Sequence, residues 1–161
     1  MISTDALFQL GDSAEEAGDN ALARQCFERG AALGDATCLS RLARMFDLGL
    51  GMSADKTEAM RLYYRAWCLG DLTVAGSNIA ILWREKGNHR AAFRWWQRVA
   101  AEDDGSAQLE MAKCYLEGAG ISQDLQAGIR CLAAAVSSIY ITEYEREEAQ
   151  TLLEGLRPRS V

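Results

Sequence analysis

The chain has 161 residues, of which 49% are hydrophobic and 25% charged, a balance typical of one folded domain of ordinary size. Its net charge of −6 argues against nucleic acid or a membrane as a partner, because both need a positive protein surface. The N-terminal residues contain no apolar run of signal-peptide length, and no segment is apolar enough to span a membrane. We therefore predict a cytoplasmic protein.

The cysteines favour the same compartment. Five of them lie at positions 26, 38, 68, 114 and 131, with no Cys-x-x-Cys motif among them. An odd number of scattered cysteines is typical of free thiols in a reducing compartment. Because the chain has a single histidine, His89, we predict neither a metal site nor a cofactor.

The first predicted element is a helical hairpin over residues 1–35. Leu7 and Ala14 lie at helical spacing before a turn, and Ala23 and Phe27 lie at helical spacing after it. The pattern predicts two helices that pack through their apolar faces. In this hairpin and those that follow, the first helix is called helix A and the second helix B.

The second hairpin, over residues 36–71, shows the signals of helix ends most clearly. A Gly-x-Gly turn follows its helix A, and Gly49 is placed to end that helix in the left-handed conformation. Asp55 is predicted to cap helix B, with Glu58 in position to complete a capping box.

Two further hairpins are predicted over residues 72–104 and 105–140. A capping helix over residues 142–156 follows them, and a flexible tail over residues 157–161 ends the chain. One hairpin cannot bury its own apolar face, whereas stacked hairpins supply a core to each other. The helices therefore predict a single domain.

Self-similarity supports this division. Residues 42–55 align without gaps with residues 111–124, so that both glycines of the Gly-x-Gly turn are repeated. Three aspartates stand where one hairpin joins the next. We predict that each of them caps the following helix A: Asp35, Asp71 and Asp104.

The third hairpin carries large aromatic and basic residues. Trp83 and Trp96 align with core positions of the second hairpin, so we predict that both are structural. A basic residue recurs at every fourth position and predicts a solvated stripe along helix B: Lys86, Arg90, Arg94 and Arg98.

These units resemble the Sel-like repeat, a branch of the tetratricopeptide superfamily. The resemblance rests on a pattern that residues 36–71 and 105–140 share. In both units, Leu or Met is followed by Ala, then by Phe or Tyr three residues later, and then by Gly-x-Gly-x-Ser-x-Asp. It implies one repeat domain over residues 1–156, folded as an all-α, right-handed α/α solenoid of about four hairpins plus a cap. Secreted relatives join helices through cysteines eight residues apart, and Cys38 and Cys68 lack such partners, which again favours a cytoplasmic location.

Catalytic machinery does not stand out. His89 is the one histidine that could serve as a base, and it lies in a predicted solvated turn. The two glycine-rich loops lack the lysine that follows a phosphate-binding loop. We therefore predict that the protein is not an enzyme.

The resemblance implies a binding surface. In relatives, helix A lines the concave side of the solenoid, and its residues facing away from helix B contact partners. In this sequence those positions hold Phe8, Asp12, Ser40, Arg44, Asp47, Ser77, Ile81, Arg84, Leu109 and Lys113. Arg44, Ile81 and Lys113 share one repeat position, so we expect an apolar groove with cations that suits an acidic segment.

Two classes of function follow. The first is a protein-protein interaction module that binds another protein or peptide as an adaptor or scaffold, with a bacterial inhibitor or immunity-type partner as one specific version and self-association left open. The second is a regulator or enzyme that binds a small molecule in a pocket that the sequence does not locate.

Overall fold

The computed structural model describes residues 2–156, so the predicted tail at 157–161 lies outside the described residues. Nine α-helices of 12 or 13 residues make up most of this part of the chain: α1 (Thr4–Glu16), α2 (Asn20–Ala32), α3 (Ala36–Leu48), α4 (Lys56–Cys68), α5 (Val74–Glu85), α6 (His89–Ala100), α7 (Gly105–Glu117), α8 (Leu125–Ser137) and α9 (Glu143–Gly155). None of these helices is both long enough and apolar enough to cross a membrane. The prediction of an all-α fold is confirmed.

Aspartate side chains begin the helices as the sequence predicts. Asp35, Asp55 and Asp104 each accept a hydrogen bond from the backbone N–H three residues further along, at 2.7 to 3.0 Å. These bonds satisfy N–H groups that the first turn of a helix leaves without an acceptor, and each cap is worth about 1 kcal/mol. At the other end, Gly49 closes α3 with a φ of 69°, as predicted.

Two predicted features of helix starts are wrong. Asp71 caps no helix, because the residues that follow it form a turn and α5 begins only at Val74. Its carboxylate instead accepts a hydrogen bond from the Ser40 hydroxyl. The capping box predicted for α4 is replaced by an ion pair, since the Glu58 carboxylate accepts two hydrogen bonds from the Arg61 guanidinium.

The chain divides into two compact units between Ile79 and Ala80, within α5. In the first unit, the hairpins α1–α2 and α3–α4 pack together through α2 and α3. Its largest fully buried side chains are Leu7, Phe27, Leu39, Met45 and Tyr63. Each buried side chain of this size stabilises the fold by roughly 1.5–3 kcal/mol.

In the second unit, α7 and α8 form a hairpin, with α6 packed on α7 and α9 packed on α8. Leu109, Leu132 and Ala149 form the centre of its core, so that α9 covers apolar surface that α8 would otherwise expose. Phe93 of α6 meets Tyr115 of α7 edge to face, with ring centroids 5.2 Å apart, a favourable aromatic geometry.

The third predicted hairpin differs in detail from expectation. Trp96 is buried as predicted, whereas Trp83 is only half-buried. Lys86 lies in the turn before α6, with its ammonium 5.5 Å from the centroid of the Trp83 ring. The basic stripe on α6 therefore consists of Arg90, Arg94 and Arg98, all of them exposed.

Candidate functional site

In the first unit, the predicted cation Arg44 is part of an ion pair. Its guanidinium donates to Glu15, and the neighbouring Arg41 donates to Asp12. Both pairs join α3 to α1, the two helices A of this unit. The helix-A face of the first unit therefore carries matched charges rather than the free cation that we expected.

Phe8 of α1 and Asp47 of α3, two further predicted residues, each contact a cation. The guanidinium of Arg41 stands 5.5 Å from the centroid of the Phe8 ring, within the range of a cation–π contact. Asp47 pairs with Lys56 at 3.0 Å. The half-buried Phe8 ring is the apolar component of the surface.

Two predicted binding residues are not on the surface. Ser40 is 3% exposed and Leu109 is 1% exposed. Ser40 donates its hydroxyl hydrogen bond to Asp71, and Leu109 belongs to the core of the second unit. Neither side chain can contact a partner, because the helix register turns both of them inward.

Unsatisfied polar atoms occur around Arg44. Among residues 2–156, two buried side-chain oxygens have no hydrogen-bond partner, namely Glu15 Oε2 and the Tyr63 hydroxyl. Glu15 is the residue that pairs with Arg44 through its other oxygen. Burial raises the pKa of Tyr63, the charge of Asp47 raises it further, and the cation of Arg44 opposes both. Both oxygens therefore lie in the electrostatic surroundings of one predicted binding residue.

In the second unit, Arg84 and Lys113 come together around Glu110. Arg84 Nη1 lies 2.5 Å from Glu110 Oε2, and Lys113 Nζ lies 3.1 Å from Glu110 Oε1. Lys113 Nζ also lies 2.8 Å from Glu148 Oε1 on α9. Burial alone would lower the pKa of Lys113, but its hydrogen bonds with the two glutamates outweigh burial and raise it. Lys113 is thus held as a cation between two carboxylates.

The remaining predicted residues, Ser77 and Ile81, lie on α5 and are half-buried. Ser77 belongs to the first unit and Ile81 to the second. The predicted set has two apolar residues in the second unit, Ile81 and Leu109. Ile81 is partly exposed, whereas Leu109 is buried. The side chain of Ile81 is therefore available to a partner.

The second unit also contains a cavity of about 200 Å³, whose lining includes Arg84, Lys113, His89 and Cys114. That His89 and Cys114 share a cavity was not predictable from the sequence, because packing of α6 on α7 brings them together. Burial raises the pKa of the Cys114 thiol to about 11, and the charges of nearby glutamates add to the shift. The thiol is therefore protonated near neutral pH, and a protonated thiol is a poor nucleophile.

The other described thiols do not suggest chemistry either. All five cysteines are free, and Cys26 and Cys38 are buried. Burial, together with the charge of Asp35, raises the pKa of Cys38 to about 12. Over residues 2–156, no group of three or more His, Cys, Asp or Glu side chains could hold a metal ion.

The repeats match a known family along most of the chain. The model of the Sel1 repeat matches residues 4–35, 36–71, 83–104 and 105–138. No curated protein matches the sequence at a significant level.

Solved structures share this fold. A Sel1 repeat protein from Oxalobacter formigenes superposes with a TM-score of 0.81 at 22% identity, covering 96% of this chain and 62% of that protein. The protective antigen c5321 of uropathogenic Escherichia coli, which displays an SLR fold, gives 0.80 at 22% identity, with 96% and 33% covered. MamA gives 0.61 at 17% identity, with 93% and 81% covered.

The chain thus spans less than two thirds of the first two of these proteins. The similarities confirm the predicted all-α repeat solenoid and, at these identities, concern the fold alone. The four matched repeats cover well over half of the sequence, and the chain belongs to the Sel1 repeat family.

Proposed function

We propose that this chain is a non-enzymatic protein-protein interaction module that binds its partner through the helix-A face of the first unit. Repeats of the Sel1 and tetratricopeptide type generally act as protein-interaction modules, and the fold is generally a scaffold rather than a catalyst. The finer assignment to one face depends on the surroundings of Arg44.

The observation that carries this proposal is the partly exposed Phe8 ring beside Arg41, on a face that also carries the ion pairs of Arg41 with Asp12 and of Arg44 with Glu15. An apolar side chain among paired charges offers a partner both a hydrophobic contact and hydrogen-bonding groups. Glu15 Oε2 and the Tyr63 hydroxyl are buried, so a partner on this face does not reach them.

The ion pairs change the kind of partner that we expect. A wholly acidic segment would have to displace Glu15 from Arg44, because that cation is already neutralised. A segment with paired charges and one apolar side chain, placed beside Phe8, fits the same surface without this cost. Asp12 and Asp47 are the further members of the predicted set that we assign to this contact.

The second unit presents a similar surface that we assign to binding separately. Ile81 supplies an apolar side chain one helical turn before Arg84, and Arg84 and Lys113 are both paired to Glu110. Ser77 of the first unit is the remaining polar residue of the set. The scattered free thiols support our further proposal that the protein works in the cytoplasm.

The alternative function is small-molecule regulation through the cavity lined by Arg84, His89 and Lys113. Its volume of about 200 Å³ lies below the roughly 300–1,000 Å³ typical of ligand pockets. A pocket of this size holds a few water molecules or one small polar group. We therefore place this function second.

Purification of the tagged protein from its source cell separates the two functions. We expect mass spectrometry to find one protein partner in stoichiometric amount, and an adaptor and an inhibitor then differ in whether that partner keeps its own activity. A preparation without a retained protein, whose melting temperature rises with a cellular metabolite, would favour the small-molecule function and contradict ours.

A further inference from the structure

The segment between α8 and α9 exposes large apolar side chains. Ile139 is 80% exposed, Tyr140 is 61% exposed and Tyr144 is 78% exposed. The neighbouring Ile141, in contrast, packs against the core of the second unit. Clustered exposed apolar residues mark interaction surfaces, and tyrosine is enriched in them.

A cavity of about 530 Å³ lies beside two of these residues. Its lining includes Ile139, Tyr140, Ser138, Gln108 and Asp103, so it offers both apolar and polar contacts. This volume is in the range of pockets that hold a large side chain and its neighbours. The cavity lies wholly within the second unit.

Hydrogen bonds hold the walls of the cavity in place. The Gly105 N–H donates to the Tyr140 carbonyl at 2.8 Å. The Ser138 hydroxyl donates to the Asp103 carbonyl at 2.8 Å and accepts from the Tyr140 N–H at 3.0 Å. A surface that is already ordered loses less entropy when a partner binds.

Asp103 is the charged residue of the cavity lining. No cation of residues 2–156 lies within ion-pair distance of Asp103, which is exposed, with a φ of 59°. Because Asp103 and Tyr140 line the same cavity, a guanidinium or ammonium group bound there can pair with the carboxylate and contact the ring through cation–π attraction.

We propose that Asp103, Ile139 and Tyr140 form a docking surface, the 103/140 surface, for a basic segment of a partner protein. An arginine or lysine side chain of the partner enters between Asp103 and Tyr140, and an adjacent apolar side chain covers Ile139. The assignment follows from charge complementarity and from the exposed apolar residues. It does not depend on the helix-A face, so either surface can fail without the other.

The test uses the ¹⁵N-labelled full chain and three capped hexapeptides in which leucine alternates with arginine, lysine or glutamate. We expect the arginine and lysine peptides to shift the amide resonances of residues 103–105 and 137–144 in a saturable manner. Asp103→Asn should weaken this binding about fivefold, because asparagine keeps the size and tolerates the positive φ but removes the charge. Ile139→Ser should weaken it as well.

Leu33→Ser is the matched control, since Leu33 is a similarly exposed apolar residue (58%) of the first unit and its loss should leave the affinity unchanged. Equal binding of the glutamate peptide, unchanged affinity in Asp103→Asn, or resonance shifts confined to other residues would overturn the proposal. Sedimentation that reveals a dimer abolished by Ile139→Ser would also overturn it, by identifying a second copy of the chain as the occupant.

Discussion

Gly120 has a positive φ and lies close to the backbone of another element. A residue with a Cβ atom is unfavourable here for both reasons. The φ of Gly120 is 78°, a region that is costly for residues with a Cβ atom. A Cβ at this position would also lie 2.3 Å from the backbone carbonyl carbon of His89. Gly87 has a similar φ of 75° but nothing within 4 Å of its would-be Cβ, so this glycine pair separates backbone strain from steric contact.

We expect Gly87→Ala to lower the free energy of unfolding by about 1 kcal/mol, from backbone strain alone. Gly120→Ala should lower it by roughly 2–4 kcal/mol, because the loop must also move away from α6. Urea denaturation followed by circular dichroism measures both. Equal losses in the two variants would show that the contact between the loop and His89 is unimportant.

The roles of several single residues were predictable from the few residues around them. Asp35, Asp55 and Gly49 act within a few residues of their own position, so the sequence alone identifies their roles. The pairing of Arg44 with Glu15 was not predictable, because the two residues are 29 positions apart and side-chain geometry decides the contact. The sequence shows which charges exist but not how they are paired.

Helix α9 is anchored by one glutamate. Glu145 accepts hydrogen bonds from the Thr142 hydroxyl at 2.6 Å and the Thr142 N–H at 3.2 Å, which completes a capping box. It also accepts one from the Ser106 hydroxyl of α7 at 2.9 Å. Burial would raise the pKa of Glu145, but these hydrogen bonds outweigh burial and lower it below its usual 4.5.

A carboxyl group whose pKa is lower in the folded than in the unfolded state stabilises the fold at pH values above its unfolded pKa. That contribution is lost as the pH falls through the folded pKa, here below 4.5. We expect the unfolding free energy of the wild type to fall more steeply than that of Glu145→Gln between about pH 5 and pH 3. Thermal melts across this pH range test the expectation, with Glu147→Gln of the same helix as the control. Parallel curves of stability against pH for the wild type and both variants would refute it.

The boundaries of α5 show where prediction of an element fails. Asp71 has the residue type and repeat position of a helix cap, but its carboxylate is taken by Ser40 of another helix. A turn then separates it from α5, which starts at Val74. The helix start was mispredicted because a tertiary hydrogen bond competes with the local cap.

For the whole molecule, internal repetition made the fold predictable. Two copies of the Gly-x-Gly segment fix the hairpin pattern, and burial of each hairpin against its neighbours follows from it. The candidate surface was only partly predictable. The resemblance to the Sel-like repeat implied the helix-A face, but the burial of Ser40 and Leu109 depends on neighbouring helices. The 103/140 surface lies where the repeat pattern ends, so repetition could not reveal it.

Binding of a protein partner to the helix-A face around Arg44 can be measured by calorimetry with the co-purified partner. Arg44→Gln keeps a donor for Glu15 but removes the charge, and Lys113→Gln, made separately, reports on the second unit. Arg24→Gln is the control, because it removes an arginine of similar exposure that is also paired with a glutamate, here Glu28 of the same helix α2.

We expect Arg44→Gln to raise the Kd at least about tenfold, or roughly 1.4 kcal/mol, and to change the stability of the chain by less than about 1 kcal/mol. Arg24→Gln should bind like the wild type. Wild-type affinity in Arg44→Gln, or equal losses in Arg44→Gln and Arg24→Gln, would contradict binding at the helix-A face of the first unit.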